Sequence, residues 1–256
     1  MEIPRELRRG SKPFNPIDVS KAIEAFVCRD LGREVLRKYS RIRFVRFYHG
    51  AATAFVAGCN LRCFFCWADE SRDYPERFGS FYSAEQVVKK LREIARRYRT
   101  PLARISGGEP TICWRHLIQL LRALEEESAF STVLLETNGI ILGSNTELVK
   151  DLRGFSKLVV RVSIKGGFPD RFEARTGARR EFFEAPFRAL EALIANGIDC
   201  YPAALTDPRL VDSEERREIY RRLASIDERL CLDLEEEIIE PFPHARRRIM
   251  IYGASL

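Results

Sequence analysis

The stretch Thr53-Ala-Phe-Val-Ala-Gly-Cys59-Asn-Leu-Arg-Cys63-Phe-Phe-Cys66 sets a short apolar run directly before three cysteines spaced C-x₃-C-x₂-C. Residues 53–57 read as a strand running into a cysteine loop. No fourth cysteine stands nearby in sequence. Three thiolates from one short loop suit three irons of a [4Fe–4S] cluster and leave the fourth iron open to a group that is not protein. An open iron is a place for chemistry rather than electron storage. The rival reading is a zinc site completed by a distant ligand such as His49. It leaves the next motif, Ser106-Gly107-Gly108-Glu109-Pro110, without a purpose.

Outward from this loop, strand and helix alternate. Ser83 and Gln86 make a capping box for a helix over 83–98, whose apolar stripe is Ala84, Val87, Val88, Leu91, Ile94, Ala95 and Tyr98. Residues 102–106 read as a strand ending at Gly107-Gly108, 114–127 as a helix, and 132–137 as a strand ending at Asn138-Gly139. A helix over 144–153 is predicted with Ser144 and Glu147 as its cap and Gly154 past its end. A strand over 157–164 follows, then a helix over 184–196 with Pro186 in its first turn and Gly197 as its stop. A strand over 198–205, a helix over 212–226 and a strand over 230–237 complete the series.

These six strand-then-helix steps, the sixth without a clear helix, predict a parallel sheet with helices outside. Six units are too few for a closed eight-stranded barrel. Barrel enzymes place their chemistry at the C-terminal ends of strands. The cysteine loop, Gly107-Gly108-Glu109-Pro110, Thr137-Asn138-Gly139 and Lys165 all follow strand ends. Ahead of this series, the middle of the N-terminal segment, 17–39, reads as one or two helices. Residues 41–48 read as a strand with Ile42, Phe44 and Tyr48 on one face. The expected organisation is an N-terminal extension over 1–50, a core over 51–240 and a tail over 241–256.

The bulk numbers set limits. A chain of 256 residues, 45% hydrophobic and 31% charged, fits one globular domain with a sizeable core. No apolar run is long enough for a membrane span and the N-terminus has no apolar signal region, so a cytoplasmic protein is expected. Seven cysteines, an odd number, point to metal or catalysis rather than disulfides. Cys28, Cys113, Cys200 and Cys231 read as small buried hydrophobes. The formal charge is +6, with arginine runs that alternate with glutamate as solvated helix faces do. Two glutamines and many arginines suggest a thermophile.

The remaining motifs describe a ligand site. Two glycines after a strand let backbone come close to a ligand. A carbonyl there together with Glu109 suits an ammonium group, which needs acceptors. Glu136 and Asn138 share one side of their strand by period two. Arg161, Ser163 and Lys165 alternate with Val160, Val162 and Ile164, so three polar side chains share a face that needs a polar environment. On the last predicted strand Cys231, Asp233, Glu235 and Glu237 alternate with leucines and read first as a charged guard on an open sheet edge. His49, His116 and His244 are isolated, and His116 reads as structural.

The cysteine loop, with an aromatic before its last cysteine, and the Gly107-Gly108-Glu109-Pro110 run together resemble the radical SAM superfamily from about Thr53 to about Glu237. The resemblance implies a partial (β/α)₆ TIM-like barrel with one [4Fe–4S] cluster on Cys59, Cys63 and Cys66. It implies S-adenosylmethionine (SAM) on the open iron, cleaved by one electron to a radical that removes hydrogen from a substrate. An electron donor such as ferredoxin or flavodoxin is expected. The resemblance puts Phe65 beside the SAM adenine, the Ser106–Glu109 run at its amino group, Glu136 and Asn138 in contact with SAM, and Lys165 at its carboxylate. Ser163 stands where related enzymes carry an aspartate. Glu136-Thr137-Asn138-Gly139, Lys165 and Thr176-Gly177 resemble glycyl-radical activating enzymes, so the first expected substrate is a glycine of a partner protein. The alternative is modification of a tRNA, a nucleobase or a cofactor precursor. The +6 charge favours it, as does Cys63-Phe-Phe-Cys66-Trp67, which is similar to the wyosine-forming tRNA enzymes. A third reading is an Fe–S or zinc module that binds RNA without catalysis.

Overall fold

The computed structural model describes residues 3–254. In chain order it has α1 (Pro16–Val27), β1 (Cys28–Asp30), β2 (Val35–Val45), β3 (Ala51–Val56), β4 (Ser80–Tyr82), α2 (Ala84–Tyr98), β5 (Leu102–Gly107), α3 (Trp114–Glu126), β6 (Thr132–Thr137) and α4 (Ile140–Ser144). There follow β7 (Leu158–Ile164), α5 (Pro169–Thr176), α6 (Ala185–Ala195), β8 (Cys200–Leu205), α7 (Ser213–Ile226), α8 (Arg229–Leu232), β9 (Glu235–Glu237) and α9 (Pro243–Tyr252). The strands form one sheet in the order β1-β2-β3-β5-β6-β7-β8-β9, with β4 paired to β2. The run from β3 to β9 is parallel, and each of its strands lies beside the next in sequence. β1, β2 and β4 pair antiparallel. The sheet does not close on itself, and its two edges are β1 and the three-residue β9. The six parallel strands of the expected partial barrel are therefore present.

Side-chain chemistry separates the two faces of this sheet. Ala52, Ala54, Val56, Ala103, Ile105, Val133, Leu135, Val160, Val162 and Ile164 are buried against Val87 and Leu91 of α2, Leu117, Leu121 and Leu124 of α3, Leu190 and Leu193 of α6, and Ile219 and Leu223 of α7. Burying that face removes the apolar side chains from water at about 25 cal/mol per Å². The alternating residues Arg104, Ser106, Glu136, Arg161, Ser163 and Lys165 therefore share the opposite, inner face.

Several helix ends follow their local sequence. Asn15 caps α1 by accepting from Ile17 N at 2.9 Å. Ser83 and Gln86 form the expected capping box on α2, and Asp212 caps α7 by accepting from Glu215 N at 2.8 Å.

Other expectations are corrected. Helix does not extend beyond Val27. Residues 28–45 form the β1–β2 hairpin, turned by Gly32 at φ +84° and by Asp30 accepting from Gly32 N. Tyr48 is not on a strand, because β2 stops at Val45 and both Tyr48 and His49 adopt left-handed backbone (φ 56° and 61°). The Ser144 cap does not form. Ser144 ends α4, and residues 146–152 form a 3₁₀ turn. Cys231 and Asp233 are not on the last strand: Arg229–Leu232 form α8, beside the Asp227 carboxylate that accepts from Arg229 N and with Leu230 buried. Cys28 and Cys113 are joined as a disulfide, Cα atoms 6.0 Å apart, rather than packed as separate apolar side chains. His116 is structural as expected. Its Nδ1 donates to Val35 O at 2.6 Å and its Nε2 accepts from Tyr39 Oη at 2.8 Å, while burial pushes the imidazole down to about 4.

A buried ion pair ties the loop after β7 to the helices outside it. Glu215 of α7 accepts from Gly167 N at 2.8 Å and, through its other oxygen, from Arg175 Nη2 of α5 at 2.8 Å. Removing one partner leaves the other charge buried and unpaired. Glu215→Ala is expected to lower the unfolding free energy by about 3–5 kcal/mol, measured by chemical denaturation of the whole chain.

Candidate active site

The cysteine loop leaves the C-terminal end of β3 and is held by backbone contacts on several sides. Gly58 N donates to Ser71 O at 2.9 Å, Glu109 N to Gly58 O at 2.8 Å, and Arg62 N to Thr176 O at 2.9 Å. Phe64 N donates to Arg175 O at 3.3 Å. The Arg175-Thr176-Gly177 run therefore supports the loop. Cys59, Cys63 and Cys66 are free thiols. Burial pushes Cys59 up to about 12 and Cys63 up to about 11, and Lys165 pulls against the rise at Cys63. Thiols so placed ionise only when a cation takes their charge, as a metal cluster does. Asn60 Nδ2 and Arg62 Nη2, beside Cys59 and Cys63 in sequence, are buried donors without a partner among the described residues. A set of three soft ligands with spare donors beside them fits an anionic iron–sulfur group. Among the described residues, no three His, Cys, Asp or Glu side chains converge on a point that could hold a metal ion.

The Gly107-Gly108-Glu109-Pro110 turn packs on this loop. Gly107 has φ +102°, and a Cβ on Gly108 would stand 1.9 Å from Gly58 O. Backbone of Val56 at Gly107 and of Gly58 at Gly108 leaves no room for a side chain at either position. Glu109 is fully buried. Its Oε1 accepts from Thr111 N, Thr111 Oγ1 (2.7 Å) and Thr137 Oγ1 (2.8 Å), and its Oε2 from Asn138 N (2.8 Å). It thus joins the ends of β5 and β6. Asn138 Nδ2 donates to Asn60 Oδ1 at 2.7 Å and lies 3.8 Å from Cys59 Sγ. Phe65 is buried, edge-on to Phe64 at 5.4 Å, and Phe64 stacks on Tyr252 of α9 at 4.1 Å.

The inner face carries a ladder of paired charges. Glu136 accepts from Arg104 Nε and Nη2, both at 2.8 Å, from Ser106 Oγ at 2.5 Å and from Tyr48 Oη at 3.1 Å. Arg161 donates through Nε and Nη2 to Glu235, both at 2.9 Å, through Nη2 to Glu237 at 2.7 Å, and through Nη1 to Ser163 Oγ at 3.2 Å. Lys165 Nζ donates to Glu237 at 2.7 Å. Glu235 and Glu237 therefore face inward, which corrects their reading as an edge guard. Burial raises the Glu237 carboxyl, but Lys165 and then Arg161 overcome it and bring it down to about 2. Burial likewise raises Glu136, and Arg104 with Arg161 outweigh it.

Residues 53–223 match the radical SAM superfamily. The chain belongs to the radical SAM superfamily. Membership makes it an enzyme of that superfamily and implies a [4Fe–4S] cluster and SAM, for which the cysteine loop has a fitting set of ligands. It is 32% identical over 173 residues to a 7-carboxy-7-deazaguanine synthase of Methanothermobacter thermautotrophicus, covering 64% of this chain and 61% of that one. It is 26% identical over 141 residues to a GTP 3′,8-cyclase of Klebsiella pneumoniae, covering 55% and 41%. This radical SAM chain thus spans less than two thirds of either curated relative. A radical SAM methyltransferase from Sphaerobacter thermophilus superposes with a TM-score of 0.57 at 14% identity, covering 88% of this chain and 72% of that one. That likeness supports the open-barrel fold.

Several site residues escaped the sequence reading. Alternation with Ser106 could have placed Arg104 on the inner face. No local signal marked Tyr48, whose left-handed backbone sends its hydroxyl to Glu136 and Glu235. Such conformations cost free energy in a non-glycine residue and persist only where surrounding contacts impose them.

Two outcomes test this geometry. Gly108→Ala is expected to cost about 2–3 kcal/mol of stability by overpacking and to lower iron retained after anaerobic reconstitution, measured by denaturation and iron assay. For Glu237 the carboxyl lies below its ordinary 4.5, so its stabilisation is complete above about pH 4.5 and is lost as pH falls through about 2. Glu237→Gln should lose on the order of 2–3 kcal/mol at neutral pH. Its urea-derived stability should also change less than that of the unsubstituted protein between pH 4.5 and 2.

Proposed function

We propose that this radical SAM enzyme removes a hydrogen atom from a small guanine-like heterocycle, with Cys59, Cys63 and Cys66 as the cluster ligands. The observation that carries the reading is the charged inner face at the strand ends that also carry the cysteine loop, where Lys165 Nζ donates to Glu237 at 2.7 Å and Asn138 Nδ2 lies 3.8 Å from Cys59 Sγ. When bound, the cluster and SAM supply a 5′-deoxyadenosyl radical.

The chain's own residues bind and orient. Phe65 offers an apolar edge for an adenine. The Ser106–Glu109 turn offers carbonyls to an ammonium. Asn138 and Ser163 offer polar groups to a ribose, and Lys165, shared with Glu237, offers a cation to a carboxylate. Glu136 is occupied by Arg104, Ser106 and Tyr48, so its part is to hold Ser106 in place. Carboxylates such as Glu235 can accept from the amide and amino edge of a guanine-type ring. Two relatives carry names containing 7-deazaguanine and GTP, which supports this substrate class. A low-potential donor, ferredoxin or flavodoxin, would supply the electron.

Several of the residues that suggested a protein glycine also hold the framework. Thr137 and Asn138 bond to Glu109, and Thr176 bonds to the cysteine loop.

The test is SAM cleavage by the anaerobically reconstituted protein with dithionite, read as 5′-deoxyadenosine by mass spectrometry, with Cys63→Ala as control. Product that vanishes in the variant supports the radical reading. A rate that rises with guanine-type small molecules, and not with tRNA or a glycyl-radical protein, supports the substrate class. A loaded cluster that neither binds SAM nor cleaves it would sink the reading.

A further inference from the structure

Three arginines converge behind the cysteine loop, and each takes the carbonyl of a different cysteine. Arg62 Nη1 donates to Cys59 O and also to Leu61 O at 2.7 Å. Arg72 Nη1 donates to Cys63 O at 2.7 Å. Arg248 Nη1, from α9, donates to Cys66 O at 2.7 Å. All three meet on one carboxylate, Asp73. Arg72 Nε reaches its Oδ1 at 2.8 Å, Arg248 Nη2 its Oδ2 at 2.7 Å, and Arg62 Nε stands 3.7 Å from Oδ1. Side-chain exposure is 0% for Arg62, 2% for Arg72, 6% for Arg248 and 4% for Asp73.

The charge balance of this hub is uneven. Three buried cations share one buried anion. Taking an ion out of water costs several kcal/mol unless it is compensated. Asp73 and the carbonyls compensate in part, and a net positive field remains on the cysteine side. Arg248 comes from a helix 175 residues away from Asp73 in sequence, so local chain geometry did not bring it there. Such a field favours a negatively charged group held by the three cysteines, and more so after that group gains an electron. Net charge and hydrogen bonding around an iron–sulfur cluster are what set its reduction potential.

We propose that Arg62, Arg72 and Arg248, gathered by Asp73, are positioning residues that hold the three cysteine carbonyls, and that the three cations raise the reduction potential of the cluster those cysteines bind while Asp73 offsets part of that rise. The inference rests on the cluster reading of the preceding section. One-electron reduction by dithionite adds one negative charge beside the hub. Removing a cation therefore disfavours the reduced state, and removing the anion favours it.

The experiment is a redox titration followed by electron paramagnetic resonance on the full chain, reconstituted with iron and sulfide without oxygen. At the potential where the unsubstituted protein is half reduced, Arg248→Gln should lower the reduced-to-oxidised ratio about tenfold, equivalent to ~59 mV for a one-electron couple. Asp73→Asn should raise the ratio by a similar factor. Arg248→Lys, which keeps the charge, should stay near the unsubstituted value. A purely structural hub would reduce cluster content without moving the two potentials in opposite directions. Should Asp73→Asn fail to fold, the Arg248 pair decides alone, since equal potentials for the Gln and Lys variants overturn the proposal. If the unsubstituted chain takes up no iron, the cluster reading itself fails, and this inference falls with it.

Discussion

The paired charges across the inner face of the parallel sheet are the constraint on which the site depends. A parallel sheet is ordinarily apolar on both faces because helices or packed side chains cover both. Here helices cover one face only, and the other carries Arg104, Glu136, Arg161, Lys165, Glu235 and Glu237. The least exposed members of this set, Arg104, Glu136 and Arg161, could not stay so without a partner. The pairing satisfies Arg104 through Glu136, and Arg161 and Lys165 through Glu235 and Glu237. It also ties the three-residue edge strand β9 to β7, which gives a short strand a reason to sit in register.

Above that face the cysteine loop is built from outside itself. The Gly107-Gly108 turn fits against Gly58 with no room for a side chain. Thr176 and Arg175 lend carbonyls, and three arginines take the cysteine carbonyls in turn. One of these arginines lies on α9, whose Tyr252 also stacks on Phe64. The C-terminal helix is therefore part of the scaffold of the cysteine loop.

Much of the parallel core could be read from the chain because it rests on local rules. The capping box of Ser83 and Gln86, Pro186 in the first turn of α6, and the alternation of Val160, Val162 and Ile164 with Arg161, Ser163 and Lys165 all express preferences spanning a few residues. The failures lie where a distant contact outweighs such preferences. The segment after Val27 pairs as a hairpin because β2 gains β3 as a neighbour. Residues 229–232 turn helical where Asp227 accepts from Arg229 N and Leu230 is buried. Cys28 and Cys113 meet across 85 residues, a separation no spacing rule addresses.

By itself the sequence determined the alternation of parallel strands and helices, the loop of three closely spaced cysteines and the polar stripe on β7, because periodicity and short spacings act within a few residues of chain. Only the tertiary structure decided that Glu235 and Glu237 face inward, that Tyr48 enters the charged face, and that Asp73 gathers arginines from residues 62, 72 and 248. Each of these depends on which buried charge finds which partner. That choice is made when desolvation and pairing are settled between segments far apart in the chain.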